Sequence, residues 1–311
     1  MNWSILGTGR IAERFATQLP GSEQGRLVVI GSRTPDRIPA WGDNTPMATY
    51  ASAVSDTEVE AVYIGLPNGL HLEWTLRALA AGKHVLCEKP LAQHPKEVEQ
   101  MFAAAKKHER LLVEAFMYRC QPAVDEALTL IREGAIGELK TMRGAFSFEH
   151  ALLPHDPRWE ADLGGGALFD VGCYPVHLMN AIMDAEPLRV ESSLDVSSRG
   201  VDTSGAALLY YPGKVAGVVT FGMEIGGDRS FKVCGTRGSI SFTDPWLHGD
   251  EFQWEHEGAV ETLVRPSLKG LSALEADAFE AAVRGHVPTW ISAEESLRSA
   301  RTLEAIRKAA R

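Results

Sequence analysis

A chain of 311 residues, 45% hydrophobic and 23% charged, can bury one large or two moderate cores, and its length favours two domains. No apolar run approaches the ~20 residues that span a bilayer, and the opening MNWSILGTGR has no basic segment ahead of a long apolar one, so no membrane span or signal peptide is expected and the expected location is the cytoplasm. A net charge of −10 without a long basic block argues against nucleic acid or an anionic membrane as partner, and four cysteines scattered without CxxC spacing (Cys87, Cys120, Cys173, Cys234) read as reduced thiols rather than a zinc site or disulfide framework.

Up to about residue 120, short β-rich runs alternate with helical patterns: WSILG, a helix from about Arg10, RLVVIGSR, VEAVYIGLP, a helix from about Leu70, HVLCEKP, a helix from about Pro95, then RLLVEAF. This repetition predicts a parallel sheet covered by helices on both faces. Gly82 suits a C-terminal helix stop and Pro95 a first helical position. Beyond residue 120 the helix PAVDEALTLIREG leads into longer alternating runs: KTMRGAFSFEH, GAALLYYP, VAGVVTFGME, SFKVCGT and GSISFTD. These predict a mostly antiparallel sheet, and the chain closes on two helical patterns, SALEADAFEAAVRG and SAEESLRSARTLEAIRKAA. The expected domains are therefore 1–119 and 120–311.

The motif GTGRIA, residues 7–12, directly follows a strand and opens a helix. Gly7 permits the tight turn, Gly9 admits a pyrophosphate close to the backbone, and Ala12 takes the small position where helix meets strand. The plain alternative is a glycine-rich turn. At the tip of the next strand a dinucleotide site usually carries Asp or Glu for the ribose hydroxyls, whereas this chain has Ser32 and Arg33. A guanidinium there suits a 2′-phosphate, so NADP(H) is favoured and NAD(H) is the alternative.

HVLCEKPLAQHP, residues 84–95, sets Glu88, Lys89 and Pro90 at the carboxyl end of a buried strand, where a doubly wound sheet binds ligands. Lys89 is expected to point into the cofactor crevice as a donor. The competing reading is a surface lysine paired with Glu88. A second constellation, DLGGGALFDVGCYPVHL at residues 162–178, follows a glycine turn with Asp170, Tyr174 and His177 at spacings of four and three on one helix face. Acid, phenol and imidazole together suit proton transfer to and from an alcohol, and a nearby ammonium, such as that of Lys89, favours an ionised tyrosine. The bland reading is a polar helix face. HGDEFQWEHEG gathers His248, Asp250, Glu251 and His256 in no standard ligand spacing, so it reads as solvated acidic surface and no metal is expected.

GTGRIA, GLPNGLH, HVLCEKPLA, EAFMYRCQP and GGGALFDVGCYP, in this order, resemble the Gfo/Idh/MocA family over nearly the whole chain, and are most similar to its branch of NADP-dependent sugar dehydrogenases (D-xylose) and dimeric dihydrodiol dehydrogenase. The resemblance implies an N-terminal Rossmann doubly wound parallel sheet and a C-terminal α/β domain with an open, mostly antiparallel sheet through which chains pair as homodimers or homotetramers. It assigns Gly7, Thr8, Gly9, Arg10 and Ile11 to the phosphate-binding turn, Ser32 and Arg33 to the NADP-type strand tip, and Leu66, Pro67, Asn68 and His71 to a cofactor-flanking loop. Glu88, Lys89 and Pro90 match the signature tripeptide, whose lysine is catalytic. Asp170 matches the motif aspartate, Tyr174 the general acid/base, and His177 a position that is aspartate in the histidine-using branch. Arg119 and Trp159 match residues lining the nicotinamide or substrate cleft. The expected activity is hydride transfer between NADP(H) and a sugar or polyol hydroxyl or carbonyl. The alternatives are trans-dihydrodiol dehydrogenase and a non-catalytic dinucleotide sensor; a sensor has no need of Lys89 with Tyr174. Substrate choice is expected to lie in cleft-facing side chains of the second domain, including HALLPHDPRW.

Overall fold

The computed structural model describes residues 1–42, 45–149 and 156–310. The chain divides into two compact units. The first comprises Met1–Ala92, Lys96–Cys120 and Leu268–Ala293; the second Gln93–Pro95, Gln121–Ser267 and Glu294–Arg311.

The first unit is a parallel sheet. Its strands are β1 (Asn2–Leu6), β2 (Arg26–Gly31), the short β3 (Met47–Ala48), β4 (Ala61–Ile64), β5 (His84–Glu88) and β6 (Leu112–Ala115), in the order β3-β2-β1-β4-β5-β6. The order reverses between β1 and β4, which is the switch point where such sheets take dinucleotides. Helices α1 (Arg10–Gln18), α2 (Tyr50–Ser55), α3 (His71–Ala80) and α4 (Pro95–Lys107) make the crossovers. Every residue of β4 and β6 is buried, as expected of strands covered on both faces. On α1, Ala12, Phe15 and Ala16 are buried at helical spacing, and Phe15 stacks on Tyr63 of β4 at 3.9 Å between ring centroids.

In the second unit, α5 (Pro122–Arg132) precedes β7 (Leu139–Ser147). A π-helical turn, Leu168–Gly172, runs into α6 (Cys173–Met183). Strands β8 (Arg189–Val196), β9 (Asp202–Tyr211), β10 (Val215–Gly222), β11 (Phe231–Gly235), β12 (Gly238–Phe242), β13 (Glu251–His256) and β14 (Ala259–Val264) complete a sheet of order β14-β13-β12-β11-β7-β10-β9-β8. It is antiparallel except for the pair β7 and β10. Phe146, Phe231 and Trp246 cluster in its core, and Trp246 Nε1 donates to Ala145 O at 2.8 Å.

Two features differ from the sequence reading. A single cut near residue 120 does not describe the chain, because α7 (Leu271–Val283) belongs to the first unit. Phe279 packs on Trp3 with ring centroids 5.2 Å apart, and Trp3 Nε1 donates to Glu280 Oε1 at 3.2 Å. Only α8 (Ala293–Ala309) of the two closing helices lies in the second unit. The region bearing Asp170, Tyr174 and His177 is also not one regular helix: Asp170 lies in the π-helical turn and the other two in α6.

Candidate active site

The candidate cofactor residues of the first unit converge on the carboxyl ends of its strands. Gly7 ends β1 with φ +116°, and a Cβ there would sit 2.5 Å from Gly65 O, so only glycine lets the β1 and β4 tips approach. Thr8, Gly9 and Arg10 are exposed, Ile11 is half-buried, and Gly9 is the N-cap of α1 with open space where a Cβ would stand. An exposed helix N-terminus, reached through a turn with glycine at residues 7 and 9, fits a pyrophosphate. Ser32 is buried at the tip of β2, where its Oγ accepts from Thr34 N at 3.1 Å. Arg33 is exposed beside it and hydrogen-bonds Tyr50. Burial pushes the Tyr50 phenol up, and the Arg33 guanidinium pulls against it. A cation at this strand tip, with no carboxylate at Ser32, fits a 2′-phosphate.

The β4 and β5 tips supply the next group. Pro67 and Asn68 are half-buried and Leu66 is buried. His71, expected among the cofactor contacts, is 0% exposed. Its Nε2 lies 2.8 Å from Leu66 O and its Nδ1 3.0 Å from Pro90 O, so it joins the β4 loop to the tripeptide from beneath rather than facing a ligand. Burial pushes the imidazole down despite these carbonyl contacts. Glu88 is buried: Tyr63 Oη donates to its Oε1 at 2.5 Å and the Lys89 amide to its Oε2 at 3.3 Å. Burial raises its carboxyl, opposed first by the field of Lys89 and then by the Tyr63 bond. Lys89 is half-buried, its bond to Pro90 is cis, and Arg119 is half-buried after β6.

In the second unit, the turn Gly164–Gly166 packs on the segment 157–160: Gly165 N donates to Glu160 O and Gly166 N to Arg158 O, both at 3.0 Å. A Cβ on Gly165 would collide with the carbonyls of Arg158 and Pro157, and one on Gly166 with Asp202 Oδ1. Asp202 Oδ2 accepts from Leu168 N at 2.6 Å and so caps the helical segment that follows. Asp170 is held by Arg158, whose Nε donates to Oδ2 at 2.6 Å, while Arg158 Nη1 lies 3.5 Å from Asp156 Oδ1. Burial alone would lower Arg158, and the two carboxylates outweigh it and raise it. Tyr174 is buried against Phe146 and Trp246, with centroids 5.1 and 5.8 Å away.

Two expected substrate contacts are deep in the fold: Trp159 is 3% and His177 1% exposed. Residues 150–155 of the expected specificity segment lie outside the described residues. The sequence gives no individual role to Tyr63, within VEAVYIGLP, or to Arg158, within HALLPHDPRW. The only local signal for Arg158 is Asp156-Pro157, in which the Asp156 carboxylate accepts from the Arg158 amide at 3.0 Å and fixes the turn.

Comparison with known proteins identifies the lineage. The pattern of the oxidoreductase family with an NAD-binding Rossmann fold matches residues 1–116, and that of the GFO/IDH/MocA C-terminal domain matches residues 124–241. The chain belongs to the GFO/IDH/MocA family. It is an NAD(P)-binding oxidoreductase. Among its relatives, dTDP-3,4-didehydro-2,6-dideoxy-alpha-D-glucose 3-reductase of Actinomadura kijaniata is 33% identical over 99% of this chain and 95% of its own. The crystal structure of the 3-ketoreductase of that organism with NADP and TDP-benzene superposes with a TM-score of 0.89 at 30% identity, covering 99% of this chain and 97% of the other. D-xylose 1-dehydrogenase (NADP(+)) 2 of Haloferax volcanii is 30% identical over 100% of this chain and 97% of its own. Aldose-aldose oxidoreductase of Caulobacter crescentus, crystallised with glycerol, gives a TM-score of 0.90 at 28% identity over 100% and 97% of the two chains. Among the described residues, no helix is long and apolar enough to cross a membrane.

Proposed function

We propose that this oxidoreductase interconverts a hydroxyl and a carbonyl on a sugar or polyol with NADP(H), using Lys89 and Tyr174. The observation that carries the cofactor choice is Arg33, an exposed cation at the tip of β2 where Ser32 stands in place of a carboxylate. Relatives that act on sugars, and a structural neighbour crystallised with NADP, support the same reading.

The turn Gly7–Ile11 would hold the pyrophosphate, Arg33 the 2′-phosphate, and Leu66–Asn68 the edge of the nicotinamide site. NADP(H), when bound, supplies or accepts the hydride. In the oxidation direction Tyr174 takes the hydroxyl proton onto Oη, and Lys89 Nζ donates to the substrate oxygen as its charge develops. Preorganised donors of this kind are often the largest single catalytic contribution. Glu88 supplies the negative charge behind Lys89. Asp170, ion-paired with Arg158, orients the turn rather than carrying the proton.

We also infer a cytoplasmic enzyme that assembles as a homodimer or homotetramer through the wide sheet of its second unit. Val196 at the end of β8 and Leu208 on β9 are exposed and apolar there, and light scattering at monomer mass would count against the assembly. The central test is a spectrophotometric screen of the purified protein with NADP and NAD against aldoses, inositols and cyclic diols, run in both directions. Sustained turnover of an aldose or polyol is expected. Turnover of cyclic diols alone moves the assignment to the dihydrodiol reaction, and no turnover with any class overturns it.

A further inference from the structure

The second unit holds an open-sided cavity of about 200 Å³ between the π-helical turn, the β8–β9 connection and α8. Neither Lys89 nor Tyr174 lines it. Leu194 of β8, Val201 and Phe169 supply apolar walls, and Gly165 adds a wall without a side chain. Among the described residues, the charged side chains that line it are Asp202 and Arg307, and their situations differ. Asp202 is engaged: its Oδ2 accepts from Leu168 N at 2.6 Å, at the start of a helical segment whose dipole favours a negative charge. Arg307 is half-buried with its guanidinium 5.0 Å over the Phe169 ring, and among the described residues it makes no hydrogen bond or ion pair. Glu304, three residues earlier on α8, is taken by Lys308 at 2.6 Å. By contrast, Arg158, Arg229 and Arg298 of the same unit each hold a carboxylate.

A cation in the last turn of α8 also complements the helix dipole, but that role needs no ring beneath the charge and no cavity in front of it. A guanidinium with one face over an aromatic ring keeps its N–H edge for an acceptor, and that planar fork matches a carboxylate. We propose that this cavity is a binding site for a small organic monocarboxylate, with the carboxylate on Arg307 and the apolar body against Leu194 and Val201. The volume lies below the roughly 300 Å³ at which sites for drug-sized ligands begin, so the ligand is compact. The apolar walls favour an organic body over a free inorganic ion. Asp202, which shares the wall and lies within the field of Arg307, disfavours a dianion and so a phosphate. The site stands apart from the proposed reaction and holds whether or not Tyr174 is its acid/base.

The test uses the full chain saturated with NADP and titrated with benzoate, followed by calorimetry and by amide NMR of the nitrogen-labelled protein. Benzoate is expected to bind with a Kd in the millimolar range or tighter and to shift the amides of Gly165 and Gly200, which line the cavity. Benzamide, which has the same body without the charge, and inorganic phosphate, which has charge without the body, are both expected to bind at least about tenfold more weakly. Arg307→Gln should weaken benzoate roughly 10–100-fold, as for a lost charge-assisted pair. Leu194→Trp, which fills the cavity and leaves the charge in place, should also abolish the Gly165 and Gly200 shifts, whereas Lys89→Ala should leave them unchanged. No binding, or shifts confined to other amides, overturns the inference. Binding that survives Arg307→Gln but is lost in Lys89→Ala also overturns it, because the anion then sits in the catalytic site. Benzamide binding as tightly as benzoate removes the role of Arg307, and phosphate binding as tightly removes that of the apolar walls. If Arg307→Gln does not fold, the wild-type shifts and the benzoate-to-benzamide ratio decide the matter.

Discussion

The Tyr63 hydroxyl on β4 donates to Glu88 Oε1 at the tip of β5 across 2.5 Å, with both side chains buried. Two neighbouring strands thus fix the acid directly before Lys89, so the lysine leaves the sheet from an anchored base. Tyr63→Phe keeps the ring that stacks on Phe15 and removes only the donor. Loss of a donor to a buried acid costs about 1–3 kcal/mol, so urea denaturation of Tyr63→Phe is expected to show a loss of this size with an unchanged m-value. An unchanged midpoint would mean that Glu88 is held by other partners.

Lys89→Ala and Tyr174→Phe separate chemistry from binding. Each is expected to lower kcat on the order of 10²–10³ while leaving the NADP Kd within about threefold, as for the loss of a donor acting on developing charge. Fluorescence titration of NADPH checks the second half. A variant that loses cofactor affinity as strongly as rate has been assigned the wrong role.

Arg33→Ala addresses cofactor choice. Charge-assisted hydrogen bonds contribute about 1.5–3 kcal/mol, so the Kd for NADP should rise roughly 10–100-fold while that for NAD changes little. Equal losses for both cofactors would leave Arg33 as a partner of Tyr50 alone.

The first unit was legible because its signals are local. A strand, a turn that needs Gly7, and a helix with buried Ala12, Phe15 and Ala16 lie within twenty residues, and each motif at a strand end is placed once the sheet is parallel. What was not legible depends on distant partners. Nothing near Leu271–Val283 announces that α7 returns to Trp3, because the contact joins residues 277 apart. Strands β8 and β14 have no such signal because their side chains are largely half-buried or exposed, so no alternation of buried apolar residues marks them. Regular helical spacing put Asp170 and Tyr174 on one face, but the π-helical turn changes the angular step between them. Residue type and spacing single out Tyr174 and Lys89 as candidates, whereas the burial of Trp159 and His177 has no local signal.

Glu275 on α7 gives a pH prediction of definite sign. It is 2% exposed, its Oε1 has no hydrogen-bond partner, and burial, reinforced by the charge of Glu88, raises its carboxyl well above the ordinary range. Its neighbour on the helix, Glu280, is equally buried but accepts from Trp3 and lies 3.7 Å from the terminal ammonium. In the unfolded chain Glu275 releases its proton near pH 4.3; in the fold it keeps it. As pH rises through this window the unfolded state loses a proton that the folded state retains, so stability falls, at most by about 1.4 kcal/mol per pH unit. Below the unfolded value both states are protonated and the contribution vanishes. Glu275→Gln keeps the shape and removes the titration. Its stability relative to the wild type is therefore expected to climb steadily from pH 5 to pH 7 in parallel urea titrations. A constant difference across that range would show that Glu275 ionises in the fold much as it does outside it.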